Sequence, residues 1–461
     1  MKEKQPVSKN EKYNIKITDL GYEGEGIGRV NGFTVFVPGL IVGEEAEIVI
    51  VKVKKSFAYG KALNIIAPSE DRNTPECRYY KTCGGCSLMH MKYDAELKFK
   101  QKRIKDCLER IGGLEDIETP AINGMEEPYF YRNKGQFPLS YDERNGLKIG
   151  FYAPRSHRIT DLDECLIQHK ATKDIIAVFR RFIAEYGISI YDENTHKGLM
   201  RTILTKTAVN TDDIMVCAVI NGKNLPNSDK LVDMLRKIPG MRSILININT
   251  KNTNVVLGGE TKLLWGDDYI IEKIGDISYK ISALSFFQVN TKQTEVICRK
   301  ILDFGNFSKD DTVLDLYCGI GTLSLWAAKK AGRVFGVEIV PQAIEDAKEN
   351  ARMNGIENAE FMVSSAEDAS PMLLEKGFRP AVVMVDPPRK GCDETVLNAI
   401  VKMNPNRIVY VSCNPSTLAR DLKKLGEEGF KLEKIEGVDQ FGRTGHVECV
   451  VSLYKNKQNK Y

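Results

Sequence analysis

The 461-residue sequence contains no apolar run approaching the roughly 20 residues a membrane-crossing helix needs, and that excludes a helical membrane protein. Its first twenty residues are studded with Lys and Glu and hold no apolar stretch of the kind found in secretory signals or transit peptides, so a cytoplasmic location is expected. A strong charge of either sign is lacking as well. The balance of 66 Lys and Arg against 62 Asp and Glu leaves +4, which neither requires nor excludes a polyanionic partner, because binding depends on how charge is distributed over the surface. Eleven cysteines in a reducing compartment do not read as a disulfide framework, and each must bind metal, react, or be buried as a small apolar side chain.

What is present suits a modular globular enzyme of two or three domains. Residues 1–67 alternate apolar and polar positions between glycine turns, as in Gly21 to Gly28 and Phe33 to Leu40, and predict short antiparallel strands closing a small OB-like β-barrel. The segment resembles a TRAM domain, an RNA-binding module of RNA-modifying enzymes. From Tyr93 to Gly112, Leu97, Ile104, Leu108 and Ile111 recur at helical spacing, and Lys98, Lys100, Lys102, Arg103 and Lys105 are expected to form a solvated basic face. Residues 68–285 mix strand-like runs, such as Ser243 to Asn249, with polar turns, and read as a central α+β domain.

After Asp310 apolar strands alternate with helices: Thr312 to Leu316, Leu323 to Lys330, Arg333 to Val337, Pro341 to Asn354, Ala381 to Val385 and Arg407 to Val411. This predicts an α/β domain, residues 286–461, with a doubly wound, Rossmann-like sheet. Asp315 to Gly321 forms a glycine turn after the first strand, but Ser324 stands where a dinucleotide site would have a third glycine, so a ligand without a pyrophosphate fits better. Glu338 ends the second strand, where an acidic side chain reaches ribose hydroxyls. Asp386 ends the next apolar strand ahead of the stiff Pro387-Pro388-Arg389 exit.

Ser412-Cys413-Asn414-Pro415 arrives at the same sheet edge. Asn414 is placed to cap a helix that starts at Pro415 and rests on Leu418 and Leu425, and the helix N-terminus is expected to hold Cys413 as a nucleophilic thiolate. A methyl donor and a thiolate together solve one chemical problem. C5 of uracil is too electron-poor to attack a sulfonium methyl directly, whereas addition of sulfur at C6 makes C5 an enolate carbon. Removing the C5 proton afterwards calls for a base, and Glu448, opening an apolar strand Cys449 to Leu453 expected at the sheet edge, is the candidate.

Cys77, Cys83 and Cys86 form C-x5-C-G-G-C, in which the double glycine lets three sulfurs converge, and Cys165 is the best fourth ligand outside the C-terminal sheet. Zinc sites pair short C-x-x-C knuckles, so three clustered thiolates and one remote favour an iron–sulfur cubane.

Together with Phe287-Gln288-Val289-Asn290 and His446-Val447-Glu448, these motifs resemble the RNA (uracil-5-)-methyltransferase family over nearly the whole chain. The resemblance implies that Gln288, Tyr317, Glu338 and Asp386 contact S-adenosylmethionine, that Cys413 is the nucleophile and Glu448 the proton acceptor, and that the four cysteines hold a [4Fe-4S] cluster. The barrel and cluster resemble the branch acting on 23S ribosomal RNA rather than the tRNA branch, and a monomer is expected. The sequence departs from the family at Asp439 to Thr444, where a proline commonly follows the phenylalanine. Methylation of a protein or exocyclic amine would favour an Asn-Pro-Pro-aromatic exit and leave Cys413 without a role. A noncatalytic RNA-binding protein is the remaining alternative.

Overall fold

The computed structural model describes residues 5–144 and 146–455. Strands β1 (Lys12–Leu20), β2 (Gly26–Val30), β3 (Phe33–Val37), β4 (Glu45–Val53) and β5 (Phe57–Ala67) close into a barrel in the order β1-β2-β3-β5-β4. Alternation along the strands fills it, with Ile15, Ile17, Val35, Val37, Ile48 and Ile50 buried together inside.

Helix α1 (Tyr93–Arg110) packs far along the chain, its Ile104 and Leu108 sharing a buried cluster with Leu418, Leu422 and Phe430. Its basic residues do not all face solvent as expected. Lys102 and Lys105 do, but Arg103 is buried, and so is Lys100, held between Glu96 at 2.7 Å and Asp439 at 2.5 Å. Two carboxylates at hydrogen-bond distance are what allow an ammonium group to leave water.

The central part comprises β6 (Lys134–Asp142), β7 (Gly146–Tyr152), β8 (Ile159–Asp161), α2 (Thr172–Tyr186), β9 (Met200–Thr207), β10 (Ile214–Ile220), α3 (Ser228–Leu235), β11 (Met241–Ile248) and β12 (Glu260–Gly266). They form a mixed seven-stranded sheet, β12-β11-β10-β9-β6-β7-β8, against which Phe179 and Phe182 of α2 and Leu231 and Leu235 of α3 are buried. A separate hairpin, β13 (Tyr269–Ile274) and β14 (Ile277–Ser282), buries Ile270, Ile277 and Tyr279 against Ile297 and Ile301 of α4 (Thr291–Gly305).

The last sheet is built from β15 (Thr312–Leu316), α5 (Thr322–Ala328), β16 (Arg333–Glu338), α6 (Pro341–Met353), β17 (Ala359–Val363), α7 (Ala366–Glu375), β18 (Val382–Val385), α8 (Glu394–Met403), β19 (Arg407–Ser412), α9 (Pro415–Glu427), β20 (Phe430–Val438) and β21 (Glu448–Lys455). Its order is β17-β16-β15-β18-β19-β21-β20, parallel through the first five strands. Helices cover both faces: Val313 points into one buried cluster, and Leu314 and Leu316 into the other. Pro341 opens α6 and Gly355, at φ 63°, follows its end, as the sequence predicts. Strand β21 is not at the edge as expected. It runs antiparallel between β19 and β20, so its residues are covered on both sides.

Candidate active site

Strand order reverses direction at β15, which lies between β16 and β18, and open sheets of this kind bind ligands outside the carboxyl ends of the strands at that switch point. Four strand ends deliver side chains there. After β15 the chain turns sharply, with Tyr317 at φ 68°, Gly319 at 56° and Gly321 at 82°. An aromatic residue in the left-handed region stores about 1–3 kcal/mol of strain, which persists only where the surroundings over-determine it. The Tyr317 hydroxyl is buried without a partner among the described residues. Ser324 donates to Asp315, so the position of the missing third glycine is used to hold a buried carboxyl. Burial pushes Asp315 up to about 7, with Asp386 and Glu338 adding to the shift.

Glu338 at the end of β16 accepts from the backbone N–H of Gly319 at 3.2 Å and of Val340 at 3.0 Å, which fixes the glycine turn against the second strand. Gln288 comes from the loop between β14 and α4. Its Nε2 donates to Asp386 at 3.1 Å, while Gln440 donates to its Oε1 at 3.4 Å and to Thr294 at 3.1 Å. Asn133, just before β6, donates to the Gln288 carbonyl at 2.9 Å, so the central sheet holds this loop in place. Burial pushes the Asp386 carboxyl up to about 7, opposed by the Gln288 hydrogen bond. Gln288, Tyr317, Glu338, Asp386 and Cys413 are all partly exposed.

Cys413 lies between β19 and α9. Asn414 caps α9 by accepting from Ser416 N–H at 3.2 Å, and it donates to the Arg389 carbonyl at 3.1 Å, where Thr417 also donates at 3.2 Å. These bonds tie the Asp386–Arg389 exit to the cysteine turn. The helix rests on Leu422 as well as on Leu418 and Leu425, all three buried. Against the expected thiolate, burial pushes the Cys413 thiol up to about 12, with Glu448 and Asp386 adding to it and Arg389 and a backbone hydrogen bond opposing. Desolvation beside two carboxyl groups outweighs the helix N-terminus.

Glu448 pairs with Val438 and is 2% exposed, its Oε1 lacking a partner among the described residues. Burial, then Asp386, raise its carboxyl well above the usual range, against Arg389. Arg389 also donates to His446 Nε2 at 3.4 Å, and burial first, with Arg389 next, lowers the His446 imidazole to about 4. Crevice and barrel meet here, since the rings of Phe441 and Tyr22 lie edge-on to His446 at 6.1 and 6.2 Å. The Asp439–Thr444 loop is pinned without its proline. Asp439 takes Lys100 and Tyr93, both at 2.5 Å, Arg443 N–H donates to Glu96 at 2.7 Å, and Tyr131 donates to the Gly442 carbonyl at 2.8 Å. Sequence reasoning missed Glu96, Lys100, Gln440 and the Arg389–His446 pair. Lys100 and Asp439 are 339 positions apart, and no local pattern links them; Arg389, adjoining Asp-Pro-Pro, was the one with a visible signal.

Cys77, Cys83, Cys86 and Cys165 are brought together on one cavity of about 340 Å3. All four are free thiols. Burial pushes Cys165 up to about 11 and Cys86 well above the usual thiol value, the latter reinforced by Cys165, Cys83 and Cys77. Among the described residues no three His, Cys, Asp or Glu side chains form a site for a metal ion. Nor is any described helix long and apolar enough to cross a membrane.

The profile of the tRNA (uracil-5-)-methyltransferase family matches residues 92–456, and that of the TRAM domain residues 6–63. An uncharacterized RNA methyltransferase of Clostridium tetani (strain Massachusetts / E88) is 50% identical over 454 residues, 98% of each chain. One from Halalkalibacterium halodurans is 46% identical over 453 residues, covering 98% of this chain and 99% of its own. The crystal structure of Pyrococcus abyssi tRNA (uracil-54, C5)-methyltransferase in complex with S-adenosyl-L-homocysteine superposes with a TM-score of 0.76 at 30% identity, over 95% of this chain and 99% of that one. The chain belongs to the tRNA (uracil-5-)-methyltransferase family, as an S-adenosylmethionine-dependent RNA methyltransferase with an N-terminal TRAM domain.

Proposed function

We propose that the chain methylates C5 of uridine in RNA through a covalent adduct on Cys413, in the cytoplasm. The observation that carries this reading is that neighbouring strands bring Asp386 and Glu448 close enough to Cys413 for each carboxyl group to bear on the thiol. S-adenosylmethionine supplies an electrophilic methyl group. Gln288, Tyr317, Glu338 and Asp386 are the residues assigned to hold it, and their half-buried acceptors fit a ligand with ribose hydroxyls and a cationic centre. A positive charge beside Asp386 favours its ionised form and that of Glu448. Cys413 sulfur then bonds to C6 as its proton passes to solvent, and the C5–C6 π electrons pass into the enolate. C5 takes the methyl group, Glu448 accepts the C5 proton, and the returning electrons break the C6–S bond.

The four cysteines are assigned to a [4Fe-4S] cluster: all four line one cavity, and the thiols of Cys83, Cys86 and Cys165, pushed up by burial, would be relieved by a cationic partner. Cys77, Cys83, Cys86 and Cys165 would hold it, and it would cross-link the loop before α1 to the segment after β8. Equimolar iron and inorganic sulfide in anaerobically purified protein, lost with Cys86→Ser, is the expected result.

The substrate assigned is 23S rRNA. A tRNA substrate is the second reading, favoured by the Pyrococcus abyssi tRNA enzyme, whose match over 95% of this chain means that overall architecture does not separate the two. Mapping 5-methyluridine in both RNAs from a deletion strain decides: loss confined to 23S rRNA is expected, loss confined to tRNA selects the second reading, and loss from neither overturns the proposal.

A further inference from the structure

A cavity of about 670 Å3, larger than the one shared by the cysteines, opens on the central sheet, and none of its lining residues belongs to the crevice or to the cysteine site. It is formed by the ends of β6 and β7, the start of β9, and the loops 190–194 and 252–256. Strand β6 connects it to the proposed active site. Asn133, which precedes the strand, holds the Gln288 loop, and Tyr141 near its other end lines the cavity. The seven steps from Lys134 to Tyr141 span roughly 23 Å at a strand's rise of about 3.3 Å per residue.

The walls are aromatic. Tyr141 is 62% exposed, a large ring surface presented to solvent with nothing stacked on it in the described structure. Tyr152 leans on His157 with ring centroids 5.6 Å apart, and the Arg201 guanidinium lies over the Tyr191 ring at 4.2 Å. The polar groups are amides and carboxylates. Glu193 accepts from the Tyr152 hydroxyl at 2.8 Å and from His157 at 3.2 Å, while Asp192 is occupied by the backbone N–H groups of Asn194 and Thr195. Asn252 meets His196 at 2.7 Å.

Charge decides what such a cavity takes. Among the described lining residues, Asp192 and Glu193 against Arg201 make a poor phosphate site, whereas flat aromatic walls with carboxylate and amide acceptors suit a planar heterocycle that carries amino donors. We propose that this cavity binds an unstacked adenine, guanine or cytosine of the substrate RNA, distant from the target uridine, and so helps to select the RNA. This rests on the RNA-methylation reading above.

The test measures binding of a fragment of 23S rRNA, and of tRNA, to the full-length protein by fluorescence anisotropy. Tyr141→Ala is expected to weaken binding of the RNA that wild type methylates about tenfold, the loss of one base-stacking contact, and to raise its KM by a similar factor, with S-adenosylhomocysteine affinity unchanged. Tyr141→Phe, which keeps the ring, is expected to retain most of the affinity. Glu193→Gln should weaken binding several-fold and shift preference among RNAs substituted at the contacted base. Wild-type affinity, within twofold, in both Tyr141→Ala and Glu193→Gln overturns this inference while leaving the methylation proposal standing. A wild-type protein that neither binds nor methylates RNA overturns both.

Discussion

The Gln288 side-chain amide donates to Asp386 at 3.1 Å, and this bond joins the loop ahead of α4 to the exit of β18 across the mouth of the crevice. It acts against the burial that pushes the Asp386 carboxyl up to about 7. A methyl donor carrying positive charge binds the ionised carboxylate more tightly than the neutral acid, so by linkage its affinity should increase as pH rises through about 7 and level off above. Isothermal titration of S-adenosylmethionine across that range should show the rise. Asp386→Asn should flatten it and weaken binding about tenfold at the upper end, roughly 1.4 kcal/mol.

Glu448→Gln keeps the shape of a buried side chain and removes its basicity. General bases contribute typically about 10²–10⁴-fold, and turnover should fall by that factor. Because sulfur addition and methyl transfer precede the proton loss assigned to Glu448, methylated RNA bound covalently to protein should accumulate. Denaturing electrophoresis with labelled donor would detect it, and a variant that stops before any adduct would place Glu448 earlier in the sequence of steps.

The C-terminal sheet was legible because its strands are short apolar runs punctuated by turns, as at Thr312 to Leu316, and its glycine turn, Asp-Pro-Pro-Arg and Ser-Cys-Asn-Pro segments sit where such sheets bind ligands. The position of Glu448 was not, because an antiparallel insertion between β19 and β20 depends on pairing with two strands that local alternation does not specify. The protonation of Cys413 likewise depends on what local sequence does not carry. Helix-terminus position is written in the sequence around Cys413, but the desolvation and the two carboxyl neighbours that dominate exist only after folding. The basic residues of α1 show the same limit: Lys100 looks like its solvated neighbours until Asp439 arrives from the other end of the chain.

Lys100 sits fully buried between Glu96 and Asp439, and Asp439 opens the loop that leads to His446 and Glu448. Lys100→Met would leave two carboxylates facing one another in the interior. Breaking a buried ionic network by removing one partner costs about 3–5 kcal/mol, so the denaturant midpoint should drop markedly. Activity measured below that midpoint should fall too, as the loop loses its anchor; unchanged stability would show that Arg443 and Tyr93 suffice to hold it.

RNA carrying 5-fluorouridine at the target position tests the central claim most directly, since fluorine at C5 cannot leave as a proton and traps the sulfur adduct. With S-adenosylmethionine present, wild-type protein should form a denaturation-resistant complex, and mass spectrometry should place the RNA on Cys413. Cys413→Ala should form none while still binding S-adenosylhomocysteine. Normal methylation by Cys413→Ala, or a wild-type enzyme that turns over without ever yielding that complex, would contradict the account.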